Sequence, residues 1–156
     1  MQALLTYSDR MTGLLSGRFI QSTALLVCRV ALAGVFWRAG RSKIEEGSWL
    51  SISDSTRFLF RHEYNAVPLP PELSLYLATG SEHLFPILLV LGLATRLSAL
   101  ALLGMTMTIQ LFVYPDAWWA VHSLWAALCL VLMALGGGAL SLDTLLQARL
   151  ASSSAR

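Results

Sequence analysis

Apolar residues in this chain run in long blocks, without the strict alternation of strands or the one-sided recurrence of soluble helices. Four blocks, residues 19–37, 73–94, 97–113 and 118–135, approach the ~20 apolar residues a helix needs to cross a ~30 Å hydrocarbon layer. The third would be ~25 Å long at 1.5 Å per residue, near the short limit. In the third and fourth blocks apolar residues cover every helical face, so no hydrated stripe remains for a soluble bundle. The pattern predicts one all-α integral membrane domain, a four-helix bundle with antiparallel up-down topology.

Turn residues punctuate these blocks. Arg96 marks a tight turn between the second and third helices, Tyr114-Pro115-Asp116 turns the chain into the fourth, and Gly136-Gly137-Gly138 stops it. Only the first loop, 38–72, is long. Within it Ser53 or Asp54 is placed to cap a short helix through Arg61, with Phe58 and Phe60 dipping into the interface. Pro68, Pro70 and Pro71 then exclude continued helix before the second span. Leu4, Met11 and Leu15 suggest a weakly amphipathic surface segment ahead of the first span.

Composition agrees with a chain solvated by lipid. Of 156 residues 56% are hydrophobic and only 13% charged, against about 25% charged in soluble domains; the mean hydropathy is +0.63. The net charge of +2 forms no basic stripe, which argues against nucleic-acid binding. Cys28 and Cys129 sit in separate apolar blocks without zinc or redox spacing, and read as small buried hydrophobes. Residues 1–18 hold Asp9, Arg10 and Arg18 and no apolar core of a secretory leader, so the first span is expected to anchor the chain uncleaved. Basic residues divide evenly between the two sides and leave orientation open. The aromatics Phe36, Trp37, Trp49, Phe58, Phe60, Tyr64, Tyr76, Phe112, Tyr114, Trp118 and Trp119 gather on the long-loop side. They read as an interfacial belt or as an aromatic recess for a flat apolar ligand such as a quinone.

Ionisable groups inside spans are costly and are functional candidates by default. Arg29 and Glu82 each fall about ten residues into antiparallel helices, which predicts a charge-assisted pair near the midplane. Pro86 withdraws the hydrogen bond to the Glu82 carbonyl and is expected to kink the helix there. The pair reads as a clasp between two helices, or as part of a ligand or proton site. Gln110, His122 and His83 follow. The plainer account of these is interhelical hydrogen bonding; metal or haem ligation lacks supporting spacing, and no metal site is predicted. His62, in the long loop, is expected to be solvated.

Three stretches carry a resemblance to a known family. They are LLVCRVALAGVFWRAGRSKI with Arg29, Gly34, Gly40 and Lys43; residues 63–96 with Glu82, Pro86, Gly92, Thr95 and Arg96; and residues 105–130, followed by Gly138 and Ser141-Leu142-Asp143. In order and spacing they resemble the DoxX family of small bacterial membrane proteins. The resemblance implies a four-helix bundle in the bacterial cytoplasmic (inner) membrane with cytoplasmic termini. It also implies kinship with subunits of a thiosulfate:quinone oxidoreductase, and with partners of superoxide dismutase or a sulfurtransferase. Arg29, Glu82, Arg96 and Asp143 match the pattern; His83 departs from it, which weakens a catalytic role there.

Three functions follow as expectations. One is a membrane subunit of a redox complex linked to the quinone pool, without stand-alone enzyme activity. No flavin, haem or iron–sulfur motif is legible, so electrons would come from a soluble oxidoreductase or sulfurtransferase partner. The second is an anchor or assembly factor for soluble redox enzymes. The third is a small-molecule transporter, disfavoured for a lone bundle without inverted repeats. Small residues such as Ala31, Gly34 and Gly40 permit close packing within the chain or between copies in an oligomer.

Overall fold

A computed structural model describes residues 17–49 and 51–154; the amphipathic segment expected around Leu4, Met11 and Leu15 lies outside them. The elements are α1 (Arg18–Arg41), α2 (Asp54–His62), α3 (Pro71–Leu91), α4 (Thr95–Phe112), a 3-10 turn (Pro115–Ala117), a π-helical turn (Trp118–His122), α5 (Ser123–Leu135) and α6 (Leu142–Ser154). Four units are long and apolar enough to cross a membrane: α1, α3, α4 and the run Pro115–Leu135. In each, no more than 33% of the most apolar window is buried within the bundle. The outward faces carry Val27, Leu84, Leu100, Leu124 and Leu130, each about half exposed or more. Such faces need lipid as solvent, since a helix satisfies its own backbone there. The protein is an all-α, multi-pass membrane bundle.

The helices form a closed ring, α1 against α3, α3 against α4, α4 against α5 and α5 against α1. Leu32, Phe36, Leu89, Leu102, Cys129 and Leu132, one or two from each helix, meet in the centre with exposures of 1% or less. Both thiols are free and separate, Cys129 fully buried and Cys28 half-buried. The first span is longer than its apolar block because α1 continues through Arg38 and Arg41, whose charges suit the C-terminal end of a helix.

The helix ends follow from local chemistry. Pro71 opens α3 at the position where a missing N–H costs nothing. Gly92, at φ +66°, closes it: its N–H donates to the Leu89 carbonyl and that of Leu93 to the Leu88 carbonyl. The turn is therefore Gly92 to Ala94, and Arg96 is already the second residue of α4. Ala94 adopts φ +49°, unfavourable for a residue with a Cβ. In the long loop, Ser53 caps α2 by accepting the Thr56 N–H at 3.3 Å. Phe60 turns inward at 6% exposure, whereas Phe58 stays exposed and stacks on His62. Arg57 and Arg61 both bind Glu72, which fastens α2 to the start of α3.

Candidate functional site

Arg29 and Glu82 do not pair. Gly40 of α1 lies level with Glu82 and His83: a Cβ there would come within 3.0 Å of the Glu82 Cβ and 2.9 Å of the His83 ring. Arg29 instead lies level with the end of α3. The two helices are offset along their axes, which depth counting from each helix start assumed away. Side chains also lean toward the N-terminus of their own helix. In antiparallel helices Arg29 and Glu82 therefore point away from one another. Glu82 is roughly 10 Å along α3 from Leu89, at 1.5 Å per residue.

Each charge has its own setting. The Arg29 guanidinium, 0% exposed, donates to the carbonyls of Leu89 (3.2 Å), Val90 (3.4 Å) and Leu140. Two of these belong to the last turn of α3, whose final four carbonyls have no helical donor. Arg29 thus completes the C-terminus of another helix, where a cation also meets the favourable dipole end. Gly92 makes room, since a Cβ there would overlap the guanidinium nitrogen. Asp143 does the converse on α4. Its two oxygens accept the N–H groups of Ala94 (2.7 Å) and Thr95 (2.9 Å), holding Ala94 in its left-handed turn, while its own N–H donates to the Gly92 carbonyl. Replacing Asp143 by alanine is expected to cost about 1–2 kcal/mol through the lost cap, read as a lower unfolding midpoint in detergent.

Glu82 is 3% exposed and bound by Lys43, a residue whose importance the helix pattern hides because it lies just past the end of α1. The Lys43 ammonium donates to Glu82 Oε1 at 2.9 Å and to the Ala39 carbonyl at 3.1 Å. Oε2 lies 2.7 Å from the same ammonium, so both carboxylate oxygens face the one cation.

This ion pair borders a cavity of about 470 Å³ on the long-loop side of the bundle. Phe36, Phe60, Phe85, Met105 and Trp125 give it apolar walls, and Tyr64, Tyr114 and His122 add polar groups. The volume falls in the range of small-molecule sites, about 300–1,000 Å³. The aromatics thus divide between two roles. Trp49, Tyr76 and Trp119 are well exposed, as an interfacial belt requires, while Phe36 and Phe60 are buried in cavity walls.

Local geometry orients the polar rim. The π-helical turn, in which the Ser123 N–H reaches the Trp118 carbonyl, starts the fourth span and brings His122 to 3% exposure; such turns are frequent at functional sites. His122 Nδ1 lies 2.7 Å from Gln110 Oε1, and the Gln110 amide donates to the Pro115 carbonyl. With the carboxamide so directed, its oxygen can only accept, so Nδ1 carries the proton. The expected interhelical hydrogen bond is present. The Tyr64 and Tyr114 hydroxyls are 3.1 Å apart and tie the long loop to the end of α4. Burial, and then the bond to Tyr114, raise the Tyr64 phenol above the usual tyrosine range.

His83 does not line the cavity. Its Nδ1 binds the Thr79 carbonyl at 2.7 Å and its ring packs edge-on against Trp37. Pro86 is buried within α3, beside the cavity-lining Phe85. His62 is exposed, as expected. Among the described residues no group of three or more His, Cys, Asp or Glu could hold a metal ion.

Four apolar spans around a polar-rimmed recess define a small helical membrane protein, and comparison with known proteins gives its kind. Residues 24–115, more than half of the chain, match the DoxX family, and the protein belongs to that family. It is 32% identical to an uncharacterized protein of Haemophilus influenzae, over 88% of this chain and 89% of that one. No solved structure matches it. His122, Trp125 and Asp143 lie beyond the family match, so the cavity and the caps draw on chain outside it.

Proposed function

We propose that this protein is a membrane subunit of a redox complex and takes a quinone ring into the recess between α1, α3, α4 and α5. The observation that carries the reading is the buried Lys43–Glu82 ion pair on the edge of an apolar cavity whose walls include Phe36, Phe60, Phe85 and Trp125. A quinone ring presents flat apolar faces and two carbonyl oxygens. Phe36, Phe60, Phe85 and Trp125 suit the faces. Lys43 can donate to a carbonyl, and Glu82 can accept the proton of a hydroxyl. Electrons would come from a soluble oxidoreductase or sulfurtransferase docked at the membrane. The reading places the protein in a bacterial cytoplasmic membrane with its termini in the cytoplasm, supported by the family resemblance.

Trp125 provides the test. Titration of the detergent-purified protein with decyl-ubiquinone is expected to quench Trp125 fluorescence saturably. Trp125→Phe should remove the saturable component, and Glu82→Gln should weaken it about tenfold or more. Quenching that rises linearly with quinone, alike in all three proteins, would show partition into the micelle and end the proposal.

A further inference from the structure

The end of the bundle opposite the aromatic recess holds a second cavity, a groove of about 540 Å³. It lies between the start of α1, the start of α4, the Gly136-Gly137-Gly138 stop and the first turns of α6. Its polar side presents Arg18, Arg96, Gln21 and Gln147, and its apolar side Leu25, Leu97 and Leu135. From these features we infer that the groove binds the phosphate headgroup of an anionic phospholipid.

The arginines carry the first part of the argument. Arg96 donates to the Ala134 carbonyl at 3.2 Å, and its Nε lies 3.4 Å from where a Cβ on Gly136 would sit. One bond fixes the guanidinium against the helix stop, and its other donors meet no acceptor among the described residues; a fixed guanidinium fork matches phosphate oxygens. Arg18 lines the same groove from α1 and forms no side-chain hydrogen bond with the described residues. Among the described residues Asp143 is the one carboxylate in the lining. Both its oxygens are engaged by the N–H groups of Ala94 and Thr95, which ties its charge to the N-terminus of α4. The Thr95 hydroxyl, fully buried under Gly137 in the groove lining, has no hydrogen-bond partner among the described residues.

The second part decides between a lipid and a free anion. Leu97 and Leu135 are 63% and 52% exposed and continue the groove onto the lipid-facing surface of α4 and α5. A headgroup held by the arginines would lay its acyl chains along these leucines, an arrangement that gives a free phosphate nothing. Among the described residues this end of the bundle carries Arg18, Arg29, Arg96 and Arg149 against Asp143 alone. Basic pockets between spanning helices bind anionic headgroups by the same physics.

Native mass spectrometry of the delipidated protein can read the site directly. Phosphatidylglycerol is expected to remain bound, about one per chain, at collision energies that strip phosphatidylcholine. Arg18→Gln/Arg96→Gln should lower its retention at least tenfold while leaving phosphatidylcholine binding unchanged. Arg18→Gln alone, which removes no hydrogen bond among the described residues, should lower it severalfold with the unfolding midpoint unchanged. Arg18→Lys/Arg96→Lys should keep part of the preference, and Arg149→Gln, outside the groove, all of it. Equal retention of the two lipids, or unchanged retention in the glutamine variant, would overturn the inference. Displacement of phosphatidylglycerol by equimolar inorganic phosphate would also overturn it, by making the groove a site for the free anion.

Discussion

Replacing Arg29 by leucine is expected to destabilise the bundle by about 3–5 kcal/mol, because the Leu89, Val90 and Leu140 carbonyls lose a donor in one step. Each buried acceptor left unpaired costs about 1–3 kcal/mol. The Leu89 carbonyl retains the Gly92 N–H, which keeps the total below the upper sum. The Arg29 side chain itself is wholly buried, while the Val90 and Leu140 acceptors are only partly so, which also keeps the loss below that sum. Arg29→Lys should recover only part of the loss. It restores a cation at the end of α3, but one ammonium cannot span carbonyls on α3 and on the segment before α6. Gly92→Ala should resemble Arg29→Leu, since a Cβ there is strained at φ +66° and displaces the guanidinium. Unfolding in mixed micelles, followed by helical circular dichroism, measures all three. A loss under about 1 kcal/mol for Arg29→Leu would show that the carbonyls find other donors.

The second large effect is an asymmetry at Lys43 and Glu82. Lys43→Met leaves a carboxylate of 3% exposure without its cation, and breaking a buried pair from one side costs about 3–5 kcal/mol. Glu82→Gln should cost less, about 1–2 kcal/mol, because the amide oxygen still accepts a hydrogen bond. The Lys43 side chain is also 17% exposed and can turn its head toward water at the long-loop surface. The double variant Lys43→Met/Glu82→Gln should then be more stable than Lys43→Met alone, with a coupling of about 2–3 kcal/mol. Equal losses in the two single variants, adding in the double, would mean that the contact contributes nothing beyond its separate parts. Together with decyl-ubiquinone binding, this cycle separates a clasp from a site. A structural pair alone would alter stability and leave quinone affinity unchanged in Glu82→Gln.

Most of the architecture was legible from short-range patterns. Blocks of about twenty apolar residues, the prolines before the second span and the glycine run from Gly136 are local signals, and local signals set helices in lipid. The stop at Gly92 was read two to four residues late, at Arg96. The cap at Ser53 or Asp54 was readable from adjacent residues, as a local signal, whereas interhelical hydrogen bonding by Gln110 and His122 was readable only as a kind of contact, without its partners. Less legible was α6, where a weakly apolar tail carries little periodicity. The π-helical turn before Ser123 was hidden because one extra residue in a turn leaves no mark on composition. Lys43 escaped notice as the partner of Glu82 because it follows the last helical residue of α1 by two positions.

The sequence alone determined that this chain crosses a membrane as four helices and that Arg29, Glu82 and His122 place polar groups inside its spans. Both depend on the cost of placing each residue type in hydrocarbon, a property of the residue itself. Only the tertiary structure decided how those groups are matched. Arg29 went to carbonyls, Asp143 to N–H groups and Glu82 to Lys43, because the axial offset of α1 and α3, and the lean of side chains toward their own N-termini, are set by packing between helices. The same packing left the aromatic recess at one end and the arginine groove at the other.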